Sequence, residues 1–266
     1  MASGGGKTVR GTAEWAVATV DAGIGCPHGC RYCYARAKQA GGPGMADSET
    51  WTTFRFDQDA VQRQYPLYPG QVTFPAHHDI VPDNLDPCLA ILTNLLAAGN
   101  RVLVVSKPHR NCIEMLCRKL TSFREQLLFR FTITARNDTI LRIWEPYAPA
   151  YGERRASLET AYLQGFATSV SVEPMLDSSD VVAMVNELLP FITHSIWIGK
   201  MNRIDERVIC DSQEMGEEIA RIEREQDDAR IRDIYRQLRD LPAIRWKESI
   251  KAVVGLDPAA EPGLDI

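Results

Sequence analysis

Short apolar runs alternate with helix-like segments along most of this chain. Runs rich in Val, Ile, Phe or Thr predict six strands, at residues 16–21, 71–74, 101–106, 127–134, 167–172 and 195–199. Apolar residues at helical spacing predict helices at 85–98, 111–120, 158–164 and from a serine cap at 178 or 179 to 189. This alternation indicates βαβ units and a parallel sheet, and six such units predict an α/β fold with a partial (β/α)6 barrel.

The segment 214–240 has a different pattern, because 15 of its 27 residues are charged. In its second half, Ile231, Ile234 and Leu238 lie on one helical face, which predicts an amphipathic helix with a solvated charged side. Residues 243–247 and 248–254 then predict a short strand and a closing helix.

These patterns divide the chain into three parts. We expect a flexible N-terminus, a partial barrel and a charged C-terminal helical extension packed on it, at residues 1–12, 13–205 and 206–266.

Composition narrows the class of protein. The chain has 266 residues, 45% of them hydrophobic, and a net charge of −5, which argues against a strongly basic nucleic-acid coat but allows a local basic groove. It contains no apolar run of membrane-spanning length, and its first residues lack the apolar region of a secretory signal. The odd number of cysteines, seven, also favours a reducing compartment, so we expect a cytoplasmic protein without a membrane partner.

Three of the cysteines, Cys26, Cys30 and Cys33, lie within eight residues with the spacing C-x3-C-x2-C. Three thiolates on one loop can bind three irons of a [4Fe–4S] cluster and leave the fourth iron open to another ligand. Two alternatives remain: a zinc site with His28 as the fourth ligand, or three buried cysteines without metal. The aromatic Tyr32 before the last cysteine makes the pattern specific for the cluster.

This loop resembles the signature of the radical S-adenosylmethionine (SAM) superfamily. The resemblance implies a partial (β/α)6 barrel, a [4Fe–4S] cluster and SAM bound through its methionine group to the open iron. Reduction of the cluster by an external flavodoxin- or ferredoxin-like protein then cleaves SAM to a 5′-deoxyadenosyl radical. The superfamily also implies that Tyr32 lies near the adenine.

Further segments resemble the spore photoproduct lyase branch of that superfamily, over roughly residues 16–200. They are the Tyr32/Tyr34 pair and the stretches 76–81, 104–108, 131–134, 144–149 with Arg154, and 171–176. The resemblance implies that a lysine after the third strand, Lys107, reaches the cofactor carboxylate. It also implies that a hydroxyl of the fourth strand, Thr132 or Thr134, contacts the cofactor.

The candidate site residues fall into four groups. The metal ligands are Cys26, Cys30 and Cys33. The candidate catalytic residues, for radical relay or proton transfer, are Tyr32, Tyr34, His77 and His78. The candidate cofactor-binding residues are Tyr32, His78, Lys107, Thr132, Thr134 and Glu173. The candidate substrate contacts are Asp79, Glu145, Arg154, Lys200 and Arg203. For Lys107 and the threonines, an exposed position and strand packing are the alternatives.

The sequence therefore predicts a radical SAM enzyme that modifies, rearranges or repairs a large substrate, with a thymine-type base in DNA favoured. One alternative is modification of a protein, peptide or RNA by the same radical. Another is a non-catalytic iron–sulfur or zinc protein that binds nucleic acid. The resemblance implies that the lyases return a hydrogen atom from a cysteine after the second strand. Residues 75–79 here contain no cysteine, so we expect a different outcome of the radical chemistry.

Overall fold

A parallel sheet carries the helices of this chain, in a computed structural model that describes residue 9 and residues 11–39 and 48–263. The strands are β1 (Ala18–Thr19), β2 (Gly23–Ile24), β3 (Arg55–Phe56), β4 (Val72–Phe74), β5 (Val102–Ser106), β6 (Leu127–Thr132), β7 (Ala167–Val172), β8 (Ser195–Ile198) and β9 (Ile244–Trp246). Seven of them form the main sheet in the order β1-β4-β5-β6-β7-β8-β9, and every neighbouring pair is parallel. The other two, β2 and β3, form a small antiparallel ribbon.

The helices are mostly short and cover the outside of the main sheet. They are α1 (Tyr34–Gln39), α2 (Ser48–Thr52), α3 (Gln58–Gln62), α4 (Leu85–Ala97), α5 (Arg110–Lys119), α6 (Asp138–Trp144), α7 (Tyr151–Leu163), α8 (Val181–Leu188), α9 (Ile204–Arg207), α10 (Gln213–Glu225), α11 (Asp228–Leu238) and α12 (Glu248–Val254). None of the helices within the described ranges is long and apolar enough to cross a membrane.

The predicted fold class is confirmed. All six predicted strands are present, and within the described ranges β1 and β9 do not pair, so the barrel stays open. The sheet has seven strands rather than six, because the predicted short strand at 243–247 forms β9 and pairs with β8. The predicted C-terminal extension therefore contributes a strand to the barrel sheet. Most of the predicted flexible N-terminus, residues 1–12, lies outside the described residues.

Some helices differ from the sequence prediction. Helix α7 begins seven residues before the predicted 158, and α6 was not predicted. The first half of the charged segment also forms a helix, α10, which runs before α11. Side-chain caps begin α6 and α10. Asn137 accepts the N–H of Thr139 before α6, and Ser212 accepts the N–H of Met215 before α10. Such caps mark the start of a helix even where its hydrophobic periodicity is too weak to predict it.

Both faces of the central strands are buried. Outward residues such as Phe129 and Phe131 pack under the helices, whereas Leu103, Leu128 and Trp197 face the barrel interior together with Trp15. Continuous apolar strands of this kind are typical of parallel sheets that are covered on both sides.

The barrel interior also contains a charged residue, Arg130. Its guanidinium carbon lies 4.6 Å from the ring centre of Trp15 and 5.4 Å from that of Trp197, and its Nε donates to Ser169 Oγ at 3.0 Å. Burial lowers the pKa of Arg130 to about 9. The two indole faces stabilise the guanidinium by cation–π contact in a site that water does not reach.

The cysteines outside the motif have two kinds of surroundings. Cys88, Cys112 and Cys117 are buried in the core between the sheet and its helices, whereas Cys210 is exposed. The first three therefore have the surroundings of structural core cysteines, whereas Cys210 lies in an exposed segment before α10.

Candidate functional site

The cysteine loop lies between β2 and α1, after the first strand of the main sheet. Cys26 and Cys30 are buried and Cys33 is half-buried. Gly25 has φ +100°, and a Cβ at this position would lie 2.4 Å from the carbonyl oxygen of Thr53. Only glycine allows this close approach, so the bend that brings the cysteines together depends on it.

A cavity of about 810 Å³ lies beside this loop, at the carboxyl ends of the parallel strands. In open α/β sheets this edge is where ligands bind. Twelve of the predicted site residues line it: Cys26, Cys30, Tyr32, Cys33, Tyr34, His77, His78, Asp79, Lys107, Thr132, Glu173 and Arg203. Four others are not among its lining residues: Thr134, Glu145, Arg154 and Lys200.

Asp79 joins the cysteine loop to the end of β5. It accepts the backbone N–H of Lys107 at 2.7 Å, its Oδ2 is 2.8 Å from His28 Nδ1, and the Nζ of Lys107 is 3.6 Å away. Burial alone would raise the pKa of Asp79, but Lys107 and His28 lower it well below its usual range. The ionised carboxylate thus orients Lys107 and His28 at the edge of the cavity.

His28 is engaged at both ring nitrogens. Its Nδ1 bonds to Asp79 and its Nε2 lies 2.9 Å from Nε2 of His109. The ligand atoms of Cys26, His28 and Asp79 all lie within 4.8 Å of one another, so a mixed metal site is geometrically conceivable. Because the imidazole already bonds at both nitrogens, this arrangement disfavours the zinc interpretation with His28 as a ligand.

Glu145 and Arg154 form a fully buried ion pair behind Tyr32. The Oε1 of Glu145 accepts the Tyr32 hydroxyl and, at 3.0 Å, the Thr134 hydroxyl. The Oε2 of Glu145 accepts a hydrogen bond from Arg154. Burial alone would raise the pKa of Glu145, but the charges of Arg154 and Lys107 lower it. The structure thus places Glu145, Arg154 and Thr134 where they hold the Tyr32 ring, not where substrate or cofactor enters the cavity.

Lys107 is a cation close to the cysteine loop, where its charge acts on Cys26 and Cys30. Its Nζ lies 5.6 Å from the ring centre of Tyr32, and it follows the last residue of β5. Burial alone would lower the pKa of Lys107, but the Asp79 carboxylate holds it well above its usual range. The lysine is therefore charged beside the three cysteines.

The two adjacent histidines have different surroundings. His78 is buried, accepts the N–H of Ala22 at its Nε2 and donates from Nδ1 to the carbonyl of Asp79, each at 3.0 Å. Burial lowers the pKa of His78 and keeps the ring neutral. His77 instead has Asp21 as its partner at 2.6 Å, a residue that the sequence analysis did not single out. Asp21 follows β1 and His77 follows β4, and these parallel strands are neighbours in the sheet. A sequence pattern does not reveal this proximity.

A second charge cluster adjoins the cavity at Glu173, which lines it. Lys247 Nζ lies 2.5 Å from Glu14 Oε2 and 3.5 Å from Glu173 Oε2. Burial raises the pKa of Glu173 despite the neighbouring lysine. Neither Glu14 nor Lys247 was predicted; the position of Lys247 at the end of the predicted short strand 243–247 was the available signal.

The other predicted contacts are less enclosed. The Tyr34 hydroxyl donates to the carbonyl of Ala76 at 2.6 Å, and its ring is partly exposed. Arg203, at the cavity mouth, has a left-handed backbone with φ 55° and pairs with Glu206. Lys200 bonds through its backbone to Ser249 behind the lining.

Comparisons with known proteins give matches in structure only. No protein-family model and no curated protein matches the chain. A cysteine-to-serine variant of spore photoproduct lyase matches with TM-score 0.54 and 13% identity, over 86% of this chain and 75% of the other. A doubly substituted variant with bound AdoMet and dinucleoside spore photoproduct matches with TM-score 0.54 and 12% identity, over the same shares. A tyrosine-to-phenylalanine variant matches with TM-score 0.53 and 13% identity, over 84% and 74%.

At this level of identity the likeness concerns the fold. The matched region includes most of the chain, and the cysteine loop follows the first strand at the open edge of the sheet. The resemblance seen in the sequence is confirmed at that level: the chain has the partial-barrel fold of spore photoproduct lyase, a radical SAM enzyme.

Proposed function

We propose that this chain is a radical SAM enzyme that acts on a large substrate, with a nucleic-acid base favoured. The observation that supports it most is the convergence of Cys26, Cys30 and Cys33 with a charged lysine, Lys107, on one cavity at the catalytic edge of a parallel sheet. The non-catalytic alternative needs no cavity of this size and no buried cation beside the thiols.

The residues present fit a [4Fe–4S] cluster with one open iron. Three thiols on one glycine-bent loop are the donor set that such a cluster uses. Burial raises the pKa of Cys30 to about 12, so this thiol would release its proton on binding iron. When bound, the cluster and SAM supply the 5′-deoxyadenosyl radical, with an external flavodoxin- or ferredoxin-like reductant as partner.

The chain's own residues then bind and orient the cofactor. Lys107 would neutralise the methionine carboxylate, and Tyr32, whose hydroxyl donates to Glu145, would be the aromatic residue for the adenine. Thr132 would be the hydroxyl available to the ribose, because Thr134 donates to Glu145 instead. Glu173, which also lines the cavity, would contact the cofactor or the substrate.

A nucleic-acid substrate is supported by two features. The cavity is at the upper end of the range for small-ligand pockets, with room for more than the cofactor. Arg203 and Arg207 line its mouth, where cationic side chains attract phosphate groups. One matched lyase structure contains a dinucleoside spore photoproduct, which agrees with a base as substrate.

The function is tested by anaerobic reduction of the cluster-loaded protein with SAM. We expect release of 5′-deoxyadenosine, and a higher yield with DNA than with RNA or protein from a lysate. Bound zinc without any SAM cleavage would contradict the proposal.

With DNA that contains spore photoproduct, we expect SAM cleavage without multiple-turnover repair, because Cys88 is in the core and no cysteine follows β4 at the cavity. Efficient repair to thymine would show that the reaction is that of the lyase.

Replacing Lys107 with Ala is expected to weaken SAM binding by about 1–3 kcal/mol, the range of a lost charge-assisted hydrogen bond. Titration calorimetry on the oxidised, cluster-loaded protein measures the affinity. Lys119→Ala, an exposed lysine at the end of α5, is the matched control and leaves the affinity unchanged. Equal affinities in the two variants would remove Lys107 from the cofactor site.

A further inference from the structure

Asp21 and His77 are brought together by two neighbouring strands. Asp21 follows β1 and His77 follows β4, and these strands pair in parallel. The Oδ1 of Asp21 accepts the backbone N–H groups of Ala76 and His77, both at 2.8 Å, and its Oδ2 lies 2.6 Å from His77 Nδ1. Three hydrogen bonds from one turn therefore fix both the carboxylate and the orientation of the ring.

This contact determines which ring nitrogen carries the proton. Burial alone would raise the pKa of Asp21, but the hydrogen bonds and charge of His77 lower it, so the carboxylate is ionised. An ionised carboxylate only accepts hydrogen bonds, so Nδ1 carries a proton, and the neutral form of the ring then has its lone pair on Nε2.

The remaining nitrogen is available to a ligand. Across the residues that the structure describes, Nε2 of His77 has no hydrogen-bond partner, and the side chain is 36% exposed and lines the cavity. His78 offers no such nitrogen, since both of its ring nitrogens bond to the backbone. The Tyr34 ring, 5.8 Å from that of His77, packs beside it.

We propose that Asp21 and His77 form an acid–base dyad of the cavity, with His77 as the catalytic residue and Asp21 as its positioning residue. This inference rests on the proposed function and adds proton transfer to its radical chemistry. Nε2 takes a proton from a substrate O–H or N–H: the N–H bond forms, the O–H or N–H bond breaks, and the electron pair stays on the substrate atom. Asp21 stabilises the imidazolium, which returns the proton later.

The dyad is tested first without any substrate, by the reaction of diethyl pyrocarbonate with unprotonated histidine nitrogens. Peptide mass spectrometry on the cluster-loaded protein is expected to find modification of His77 at Nε2. In Asp21→Asn the amide can donate to Nδ1, which moves the proton to Nε2, so the rate at His77 is expected to fall by at least about tenfold. Asp228→Asn, an exposed aspartate on α11, is the matched control and leaves the rate unchanged.

The other histidines report on folding in the same experiment. Buried His28 and His78 stay unmodified in a folded protein, whereas a misfolded Asp21→Asn variant exposes them. In that case ¹⁵N-histidine NMR of the wild type decides, with His77→Gln to assign the signal: a protonated Nδ1 and unprotonated Nε2 support the dyad. The opposite tautomer, or an unchanged rate at His77 in folded Asp21→Asn, would overturn it.

A second measurement separates the dyad from a structural role. With thymidine-containing DNA as the probe, His77→Gln is expected to lower the yield of modified nucleoside by about 10²–10⁴-fold. The 5′-deoxyadenosine yield falls far less, since among the described residues no hydrogen bond or ion pair joins His77 to the cysteines or Lys107. Equal losses of both yields would overturn the proton-transfer role. If the wild type cleaves no SAM, the proposed function fails, and the tautomer measurement still decides the dyad.

Discussion

Cys30→Ala is expected to abolish both the visible absorbance of the reconstituted cluster and the release of 5′-deoxyadenosine. Two remaining thiolates hold only two of the cluster's irons, so the cubane is lost rather than weakened. Cys30 is buried beside Lys107 and lines the cavity. Iron and sulfide analysis after anaerobic reconstitution, together with chromatography of the nucleoside, measures both effects.

Cys210→Ala and Cys112→Ala are the matched controls for this change. The first is exposed, the second lies in the core under the sheet, and neither lines the cavity. Both variants are expected to keep a full cluster, although Cys112→Ala costs some stability because it leaves a small void. A comparable loss of iron in either one would mean that the three-cysteine assignment is incomplete.

Arg154→Met is expected to lower the free energy of unfolding by about 3–5 kcal/mol, the cost of leaving a buried charge without its partner. Both side chains of the Arg154–Glu145 pair are fully buried, and Glu145 also anchors the Tyr32 hydroxyl. Urea denaturation followed by circular dichroism measures the change. A folded variant is also expected to bind SAM more weakly, since Glu145, which accepts the Tyr32 hydroxyl, has lost its own charged partner.

The neighbouring residue supplies the control. Arg155→Met removes the same charge, but the Arg155 side chain is 38% exposed and its ion pair with Glu187 is solvated, so the loss is expected to stay below about 1 kcal/mol. Adding Glu145→Gln to Arg154→Met is expected to restore part of the stability, because the unpaired charge is then removed. Equal losses in the two single variants would contradict the buried-pair interpretation.

The pairs that build the site are distant in sequence. Asp21 meets His77, Tyr32 meets Glu145 and Lys247 meets Glu14 because parallel strands bring successive loops to one edge of the sheet. The sequence identified His77, Tyr32 and Glu145 as candidates. It did not indicate which residue each of them contacts.

Local patterns in the sequence were sufficient for the fold class, the six strands and the cysteine loop. Strand and helix signals depend on residues a few positions apart, and the three cysteines lie within eight residues, so each can be detected without knowing the rest of the chain. The partial barrel follows from the count of alternating units, and the resemblance to the radical SAM superfamily follows from the loop itself.

The roles of single side chains depended on the tertiary structure. Glu145, Arg154 and Asp79 are charged residues of the kind that bind substrates, yet all three are buried. Glu145 holds the Tyr32 hydroxyl, Arg154 pairs with Glu145, and Asp79 holds Lys107. His77 and His78 are adjacent and chemically identical, and only their surroundings distinguish them: Asp21 beside His77, and two backbone groups at the ring nitrogens of His78. The physical reason is that burial, protonation and hydrogen-bond partners are set by groups from other strands, whose order and register no local pattern encodes.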